Sequence, residues 1–309
     1  MKNIIITGGT GMVGQALNSV INNRQDNYYF ISSKDYDLTS IEETKQMFET
    51  IKPDYVIHLA AYVGGLFRNI NQKIDMFEKN LLINYNIVKY SHEYGVRKLI
   101  ACLSTCIFPD KVKYPINEEQ LHNGPPHDSN NAYAYAKRML EFHISLYRNQ
   151  YNNNFMCIIP TNIYGEYDNF NLKDAHVIPA LIHQCYLAVK NDLDFIVKGT
   201  GTPLRQFIYS KDLANIILKL LYSDKQINNL IISVNNEISI KDIAIKIASE
   251  FKYKKEIKYD TLYEDGQLKK TVSNSLLTDT FNDIIFTELD IGLKNTIEWF
   301  INHYDSARK

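Results

Sequence analysis

Two hydrophobic periods alternate along the first half of this chain. Short runs that are apolar and rich in β-branched residues carry the pattern of parallel strands buried on both faces. Residues 3–7 (Asn-Ile-Ile-Ile-Thr) are the clearest, and further runs follow at 28–32, 55–59, 98–103 and 155–159. Between them lie stretches of helical character at 16–23, 41–51, 75–94 and from Tyr133 onward. Strands alternating with helices in this way predict an α/β protein with a doubly wound parallel sheet. From Glu166 the pattern loosens. A helix is expected from His176, then a turn and short strand over 199–210, then amphipathic helices over 211–222, 239–251 and 293–303. Ser239 suits the N-cap of the second of these. The expected organisation is a nucleotide-binding domain over 1–165, with a segment near 205–222 returning to it, and a smaller α/β substrate domain over 166–309.

The 309 residues, 45% of them hydrophobic and 22% charged, are enough for a real core. A net charge of −1 removes the bulk attraction that nucleic-acid and membrane-surface proteins use. No apolar run approaches the ~20 residues of a membrane span, and Ile4-Ile5-Ile6 is too short for a signal-peptide core. Cys102, Cys106, Cys157 and Cys185 form no C-x-x-C pair, and the chain has no N-x-S/T acceptor. A reducing, cytosolic setting is therefore expected. The eight histidines are scattered without ligand spacing, so no metal site is expected.

Directly after the first strand comes Gly8-Gly9-Thr10-Gly11-Met12-Val13-Gly14. A strand, a glycine turn and a helix bring backbone N–H groups to a pyrophosphate at the helix amino end. A tight βα turn needing positive φ would use the same glycines. The second strand ends in Ser32-Ser33-Lys34, where an acid would repel a 2′-phosphate; hydroxyls and a cation there favour NADP(H) over NAD. Lys34 is equally suited to a solvated turn. Asp37 is a candidate contact for the adenine amine. Leu59-Ala60-Ala61 opens a loop over 60–68 at the third strand's carboxyl end, where doubly wound sheets bind ligands. His58 reads as a packed histidine. The helix at 75–94 belongs to the core, or turns one face to a second subunit.

The fourth strand runs into Cys102-Leu103-Ser104-Thr105-Cys106, and the fifth ends at Pro160-Thr161-Asn162-Ile163. Tyr133 and Lys137, four apart, point to one side of a helix, while Tyr135 faces elsewhere. An ammonium near a phenol favours phenolate and is expected to lower a tyrosine pKa of about 10. Such a tyrosine exchanges protons with a carbonyl or alcohol. Ser104 is placed to hydrogen-bond the same oxygen.

Together T-G-G-T-G-M-V-G, H-L-A-A, L-S-T-C and Y-A-Y-A-K resemble the extended short-chain dehydrogenase/reductase superfamily. Longer blocks are similar to the GDP-L-fucose synthase family within it: HLAAYVGGLFRN, CLSTCIFPD, HNGPPHDSN, PTNIYGEYDNFN, HVIPALIH, RQFIYS and DGQLKKT. The resemblance spans nearly the whole chain. It implies a Rossmann-type fold, NADPH as cofactor, GDP-4-dehydro-6-deoxy-D-mannose as substrate, GDP-L-fucose as product, and a homodimer built on two long helices per subunit. It further implies Ser104, Tyr133 and Lys137 as the reductase triad and Cys106 with His176 as the epimerisation pair. Cofactor contacts carry over to residues 8–14, 102–105, 160–163 and His176. Substrate contacts carry over to Asn162, Arg205 (for the diphosphate), Asp265 and Lys270. Gln184 stands where many members have a basic residue, and Lys198 where many have tryptophan; Lys198 is a candidate for the missing charge. The alternatives are another nucleotide-sugar 4-epimerase, reductase or dehydratase of the superfamily, or a non-catalytic dinucleotide sensor. Cys106-Ile107 after Thr105 lacks the acids a dehydratase wants, and a sensor would be expected to have lost part of the triad.

Overall fold

Ile4, Ile5 and Ile6 are wholly buried but point opposite ways, as period two in a strand requires. Ile5 packs with Met47, Phe48, Ile87 and Val88, whereas Ile4 and Ile6 pack with Leu17, Leu213 and Ile217. The computed structural model, which describes residues 1–22, 25–65, 69, 71–263, 265 and 267–309, therefore has this strand as the middle of three layers. In chain order the first half is β1 (Asn3–Thr7), α1 (Met12–Val20), β2 (Asn27–Ile31), α2 (Ile41–Ile51), β3 (Tyr55–His58), α3 (Lys73–Glu93), β4 (Lys98–Cys102), α4 (Asn131–Tyr151) and β5 (Phe155–Pro160). The second half is β6 (Asn162–Tyr164), α5 (Val177–Lys190), β7 (Ile196–Lys198), β8 (Leu204–Arg205), β9 (Phe207–Tyr209), α6 (Ser210–Tyr222), β10 (Asn229–Ile232), β11 (Ile238–Ser239), α7 (Ile240–Glu250), β12 (Lys258–Asp260), α8 (Ser275–Thr280) and α9 (Leu289–Asn302).

Six parallel strands form the main sheet in the order β10-β5-β4-β3-β1-β2. It is a Rossmann-type sheet. The chain moves from β1 outward to β2 and then returns to β3 on the other side of β1. The connections leaving β1 and β3 therefore run in opposite directions along the sheet, which marks the usual place for a ligand in such sheets. A third core, with Phe195, Val197, Ile243, Ile247 and Phe300, joins α5, α7 and α9. Beside it lie three two-stranded pairs, β8 with β11, β7 with β12 and β6 with β9. Among the described residues, no helix is long and apolar enough to cross a membrane.

Several boundaries differ from the expected ones. Helix α1 begins at Met12, with Gly11 as its N-cap, rather than at residue 16; its expected end at Asn23 lies outside the described residues. Helix α9 starts at Leu289, a turn before the expected 293. Strand β10 has no counterpart among the expected strands: four residues after a polar stretch carry little signal alone, and parallel pairing with β5 makes the strand.

Lys98 sits at the start of β4 and is 4% exposed. Its Nζ donates to the Leu220 carbonyl at 2.9 Å and to that of Ser223. These carbonyls lie at the carboxyl end of α6, where a cation is favoured. Burial lowers the lysine pKa, yet the two acceptors hold the ammonium in place. Replacing Lys98 by Met should deprive the Ser223 carbonyl of this donor, leave the Leu220 carbonyl only the Ser223 amide at 3.3 Å, and lower stability by ~1–3 kcal/mol. Urea or thermal unfolding checks this.

Candidate active site

The glycine loop is shaped by close backbone approach. Gly8 has φ +70, and a Cβ there would lie 2.9 Å from the Ala60 nitrogen. A Cβ on Gly9 would lie 2.7 Å from the Phe30 backbone, and one on Gly14 2.4 Å from the Gly9 oxygen. Only glycine lets the loop, the ends of β2 and β3 and the start of α1 come this close. Met12, Val13 and Gly14 form the first turn of α1, whose amides have no intrahelical partner and whose dipole end is positive. Thr10 beside them is exposed.

Thr7, at the end of β1, accepts from the Leu59 and Ala60 amides at 3.2 Å and contacts His58 Nδ1 at 2.8 Å. His58 Nε2 lies 3.0 Å from Asn84 Oδ1, and Asn84 Nδ2 donates to the Ala136 carbonyl at 3.4 Å. Burial pushes the His58 imidazole down to about 3. It is a neutral, packed histidine in a buried chain of hydrogen bonds from the glycine strand to α4. The described part of the loop after β3 is 60–65 with Asn69; Leu66 to Arg68 lie outside the described residues.

Around the turn after β2, Ser33 and Lys34 are exposed. Asp35 Oδ2 accepts from the Ser32 amide at 2.8 Å and its hydroxyl at 2.7 Å. Asp37 Oδ1 accepts from the Thr39 amide at 2.9 Å and its hydroxyl at 2.8 Å. Both acids brace the turn, which leaves Asp37 one uncommitted oxygen at most for the expected adenine contact.

Beyond Leu103, Ser104 is extended, and a 3-10 turn follows over Thr105–Ile107. Ser104 Oγ caps this turn by accepting the Cys106 amide at 3.4 Å. Lys137 is 1% exposed, and its Nζ donates to the Cys102 carbonyl at 2.8 Å. The Nζ lies 5.9 Å from the Tyr133 ring centre, while Tyr135 faces outward and is 42% exposed.

The expected lowering of the Tyr133 pKa is overturned. Burial pushes this phenol well above its ordinary value and pushes the Lys137 ammonium down. Desolvation penalises both charged forms and is the largest cause of each shift. Tyr133 therefore keeps its proton, the state an acid needs. Cys102 is likewise pushed up to about 11 by burial.

Cys106 is buried, within electrostatic reach of Tyr133, Lys137, Arg138 and Lys270. His176 is the N-cap of α5 and is exposed, yet enough protein surrounds the imidazole to lower its pKa by desolvation. Its segment is held to the loop after β3 by the Gly65 amide, which donates to the Asp174 carbonyl at 3.1 Å. Pro160 and Thr161 are buried at the end of β5, and Ile163 is half-buried. Among the described residues the Thr161 hydroxyl has no partner. Asn162 Nδ2 donates to the Gln206 carbonyl at 2.9 Å.

Arg205, half-buried, donates to the Leu204 carbonyl at 2.7 Å. Lys270 lies within electrostatic reach of Arg205, Cys106 and Asp110, and burial lowers its pKa and that of Arg205. Two desolvated cations held together suit a diphosphate. Gln206, which the sequence did not flag, brings them together: its Nε2 donates to the Val234 and Val272 carbonyls at 2.8 and 3.2 Å, and its Oε1 accepts the Val272 amide at 2.9 Å. An amide beside an arginine in a short strand carries no signal of such a role. Asp265 is committed elsewhere, accepting the Thr200 amide at 3.0 Å and its hydroxyl at 2.5 Å; neighbouring Gly266 lies outside the described residues. Gln184 is half-buried on α5. Lys198 is exposed, with Nζ 4.7 Å from the Tyr263 ring centre.

The residues present fit a dinucleotide. The loop admits no side chain at Gly8, Gly9 or Gly14, and among the described residues the Thr161 hydroxyl is unpartnered and the three protons of Lys137 meet one hydrogen-bond acceptor. Residues 4–234 match the NAD dependent epimerase/dehydratase family. The chain belongs to this family. Among its curated relatives is the GDP-L-fucose synthase of Dictyostelium discoideum, 47% identical over 313 residues that cover 100% of this chain and 98% of that protein. The GDP-L-fucose synthase of Escherichia coli is 29% identical over 320 residues, covering 99% of each. Of solved structures, a GDP-L-fucose synthetase from Naegleria fowleri bound to NADP superposes with a TM-score of 0.94 at 43% identity, covering 99% of this chain and 94% of that one.

For this member of the family, Gly9→Ala should displace the end of β2 and weaken NADPH binding by about 1–3 kcal/mol. Gly95→Ala, with φ +65 but nothing within 4 Å of the added Cβ, should leave binding unchanged. Fluorescence titration with NADPH measures both.

Proposed function

We infer that the chain converts GDP-4-dehydro-6-deoxy-D-mannose to GDP-L-fucose, by 3,5-epimerisation and then NADPH-dependent reduction of the 4-keto group. The observation that carries this is the full-length likeness to GDP-L-fucose synthases, at 47% identity in one case. The geometry supports it: a half-buried tyrosine, a buried lysine and a buried thiol lie together at the end of β4, beside a pair of cations suited to a diphosphate.

In the proposed mechanism, Arg205 and Lys270 grip the diphosphate and Asn162 faces the sugar. Gln184, Lys198 and Asp265 line the outer part of the substrate site, Asp265 by bracing the 199–200 turn. Residues 8–14, 59–61, 102–105 and 160–163 hold the cofactor, with Ser33 and Lys34 toward its 2′-phosphate, and Lys137 holds the ribose. Bound NADPH supplies the hydride for carbon 4.

The 4-keto group acidifies the hydrogens on carbons 3 and 5. Cys106 and His176 act as a pair, one removing such a proton and the other returning one from the opposite face. The lowered pKa of His176 keeps its imidazole neutral near pH 7, able to accept a proton. Ser104 and Tyr133 donate hydrogen bonds to the enolate oxygen as charge develops there. In the reduction Ser104 orients the same oxygen and Tyr133, still protonated, delivers its proton.

We further propose a homodimer. Leu82 and Tyr85 on α3 are exposed beside Tyr135, Met139, Phe142 and Leu146 on α4. The α4 positions recur at helical spacing and form one apolar stripe, which a second copy would cover by pairing two helices with two. All four cysteines are free, as a reducing cytosol would keep them, and we propose that compartment.

Two measurements test these readings. Cys106→Ser should lose GDP-L-fucose formation by about 10²–10⁴-fold while still binding NADPH and releasing some sugar reduced without epimerisation, identified by NMR. A wild type that binds NADPH but leaves this substrate untouched would refute the assignment. Phe142→Glu with Leu146→Glu should shift the sedimentation coefficient from dimer to monomer, and an unchanged coefficient would refute that face as the interface.

A further inference from the structure

Arg138 follows Lys137 on α4 and is 7% exposed. Its side chain turns toward the segment that carries Cys106. Nε donates to the Ile107 carbonyl at 2.6 Å and Nη1 to the Gly124 carbonyl at 2.7 Å. Nη2 is buried without a partner among the described residues. One guanidinium thus ties the residue next to Cys106, and a turn further along the same loop, to the helix that bears Tyr133 and Lys137. The Gly124 end is itself braced, since the Asp110 amide donates to the Pro125 carbonyl at 3.0 Å and Pro109 bridges Pro126.

Packing alone does not account for this arginine. A buried cation met by carbonyl oxygens costs more than an apolar side chain of similar volume, and burial lowers its pKa. A planar fork does what no apolar group can: it holds two carbonyls from separate points of a loop in one plane. The thiol of Cys106 lies within its electrostatic reach.

We propose that Arg138 is a positioning residue for epimerisation, holding the Cys106 turn in register with the helix of Tyr133 so that thiol and phenol address one bound sugar. The inference rests on the reading that Cys106 exchanges the protons of carbons 3 and 5. It assigns Arg138 no contact with substrate.

The test follows solvent deuterium into carbons 3 and 5 of GDP-4-dehydro-6-deoxy-D-mannose by NMR, with NADP⁺ bound so that reduction is blocked. NADPH turnover and cofactor affinity are measured alongside. Arg138→Met should slow deuterium uptake by roughly tenfold to a hundredfold with NADPH affinity unchanged, and with NADPH should release sugar reduced without full epimerisation. Arg138→Lys keeps the charge but not the fork and should remain slow. Uptake within about twofold of wild type would overturn the proposal. So would an equal loss in uptake, reduction and cofactor affinity, the signature of a loosened fold. If Arg138→Met does not fold, Arg138→Lys carries the same criteria, and failure of both to fold would assign the residue to the fold and overturn the proposal. Wild type is the separate control: no uptake there would remove the functional reading itself.

Discussion

A lysine ammonium taken almost wholly out of water is the constraint on which the site depends. Lys137 is 1% exposed and donates to the Cys102 carbonyl at 2.8 Å. An unpaired buried charge is among the most costly groups a protein holds, so this contact pins α4 to the carboxyl end of β4. Tyr133, one turn earlier on α4, and Arg138, one residue later, are placed by the same contact. The Ser104–Cys106 turn begins just beyond the carbonyl that Lys137 holds. A shift of α4 along the sheet would strand the charge, and that makes the register of helix on strand strict.

The opposite wall of the crevice is tied to the same helix by neutral groups. Thr7, His58, Asn84 and the Ala136 carbonyl form a buried chain of contacts of 2.8, 3.0 and 3.4 Å. Its pairs are consistent with a His58 tautomer carrying the proton on Nε2. Because burial keeps this imidazole uncharged down to about pH 3, the chain stays intact around neutral pH. The glycine loop at one end and the helix of Tyr133 and Lys137 at the other are thereby joined in one frame, with α3 as the strut.

Electrostatics inside that frame follow burial more than pairing. Tyr133 goes up and Lys137, Lys270 and Arg205 go down, with desolvation the largest cause for each. A site so built is poised against unpaired charge. It favours a neutral phenol as proton donor, and it favours an anion that relieves two crowded cations. Arg205 and Lys270 come from distant parts of the chain and meet because Gln206 hydrogen-bonds the Val272 backbone just beyond Lys270.

The chain's own residues determined the local parts of this protein. Continuous β-branched runs forced buried strands, glycines at 8, 9 and 14 permitted a turn no other residue fits, and four-residue spacing put Tyr133 and Lys137 on one side of a helix. Each depends on neighbours a few residues away, so each was legible. What only the tertiary structure decided depends on partners far along the chain. Strand β10 exists through pairing with β5; Lys98 is an interior lysine because the end of α6 arrives to accept its hydrogen bonds; Asp265 is taken up by Thr200 instead of lying open. The sign of the Tyr133 shift belongs here as well. Spacing reveals that a lysine is near, but the amount of water excluded by the packed layers decides which way the phenol moves.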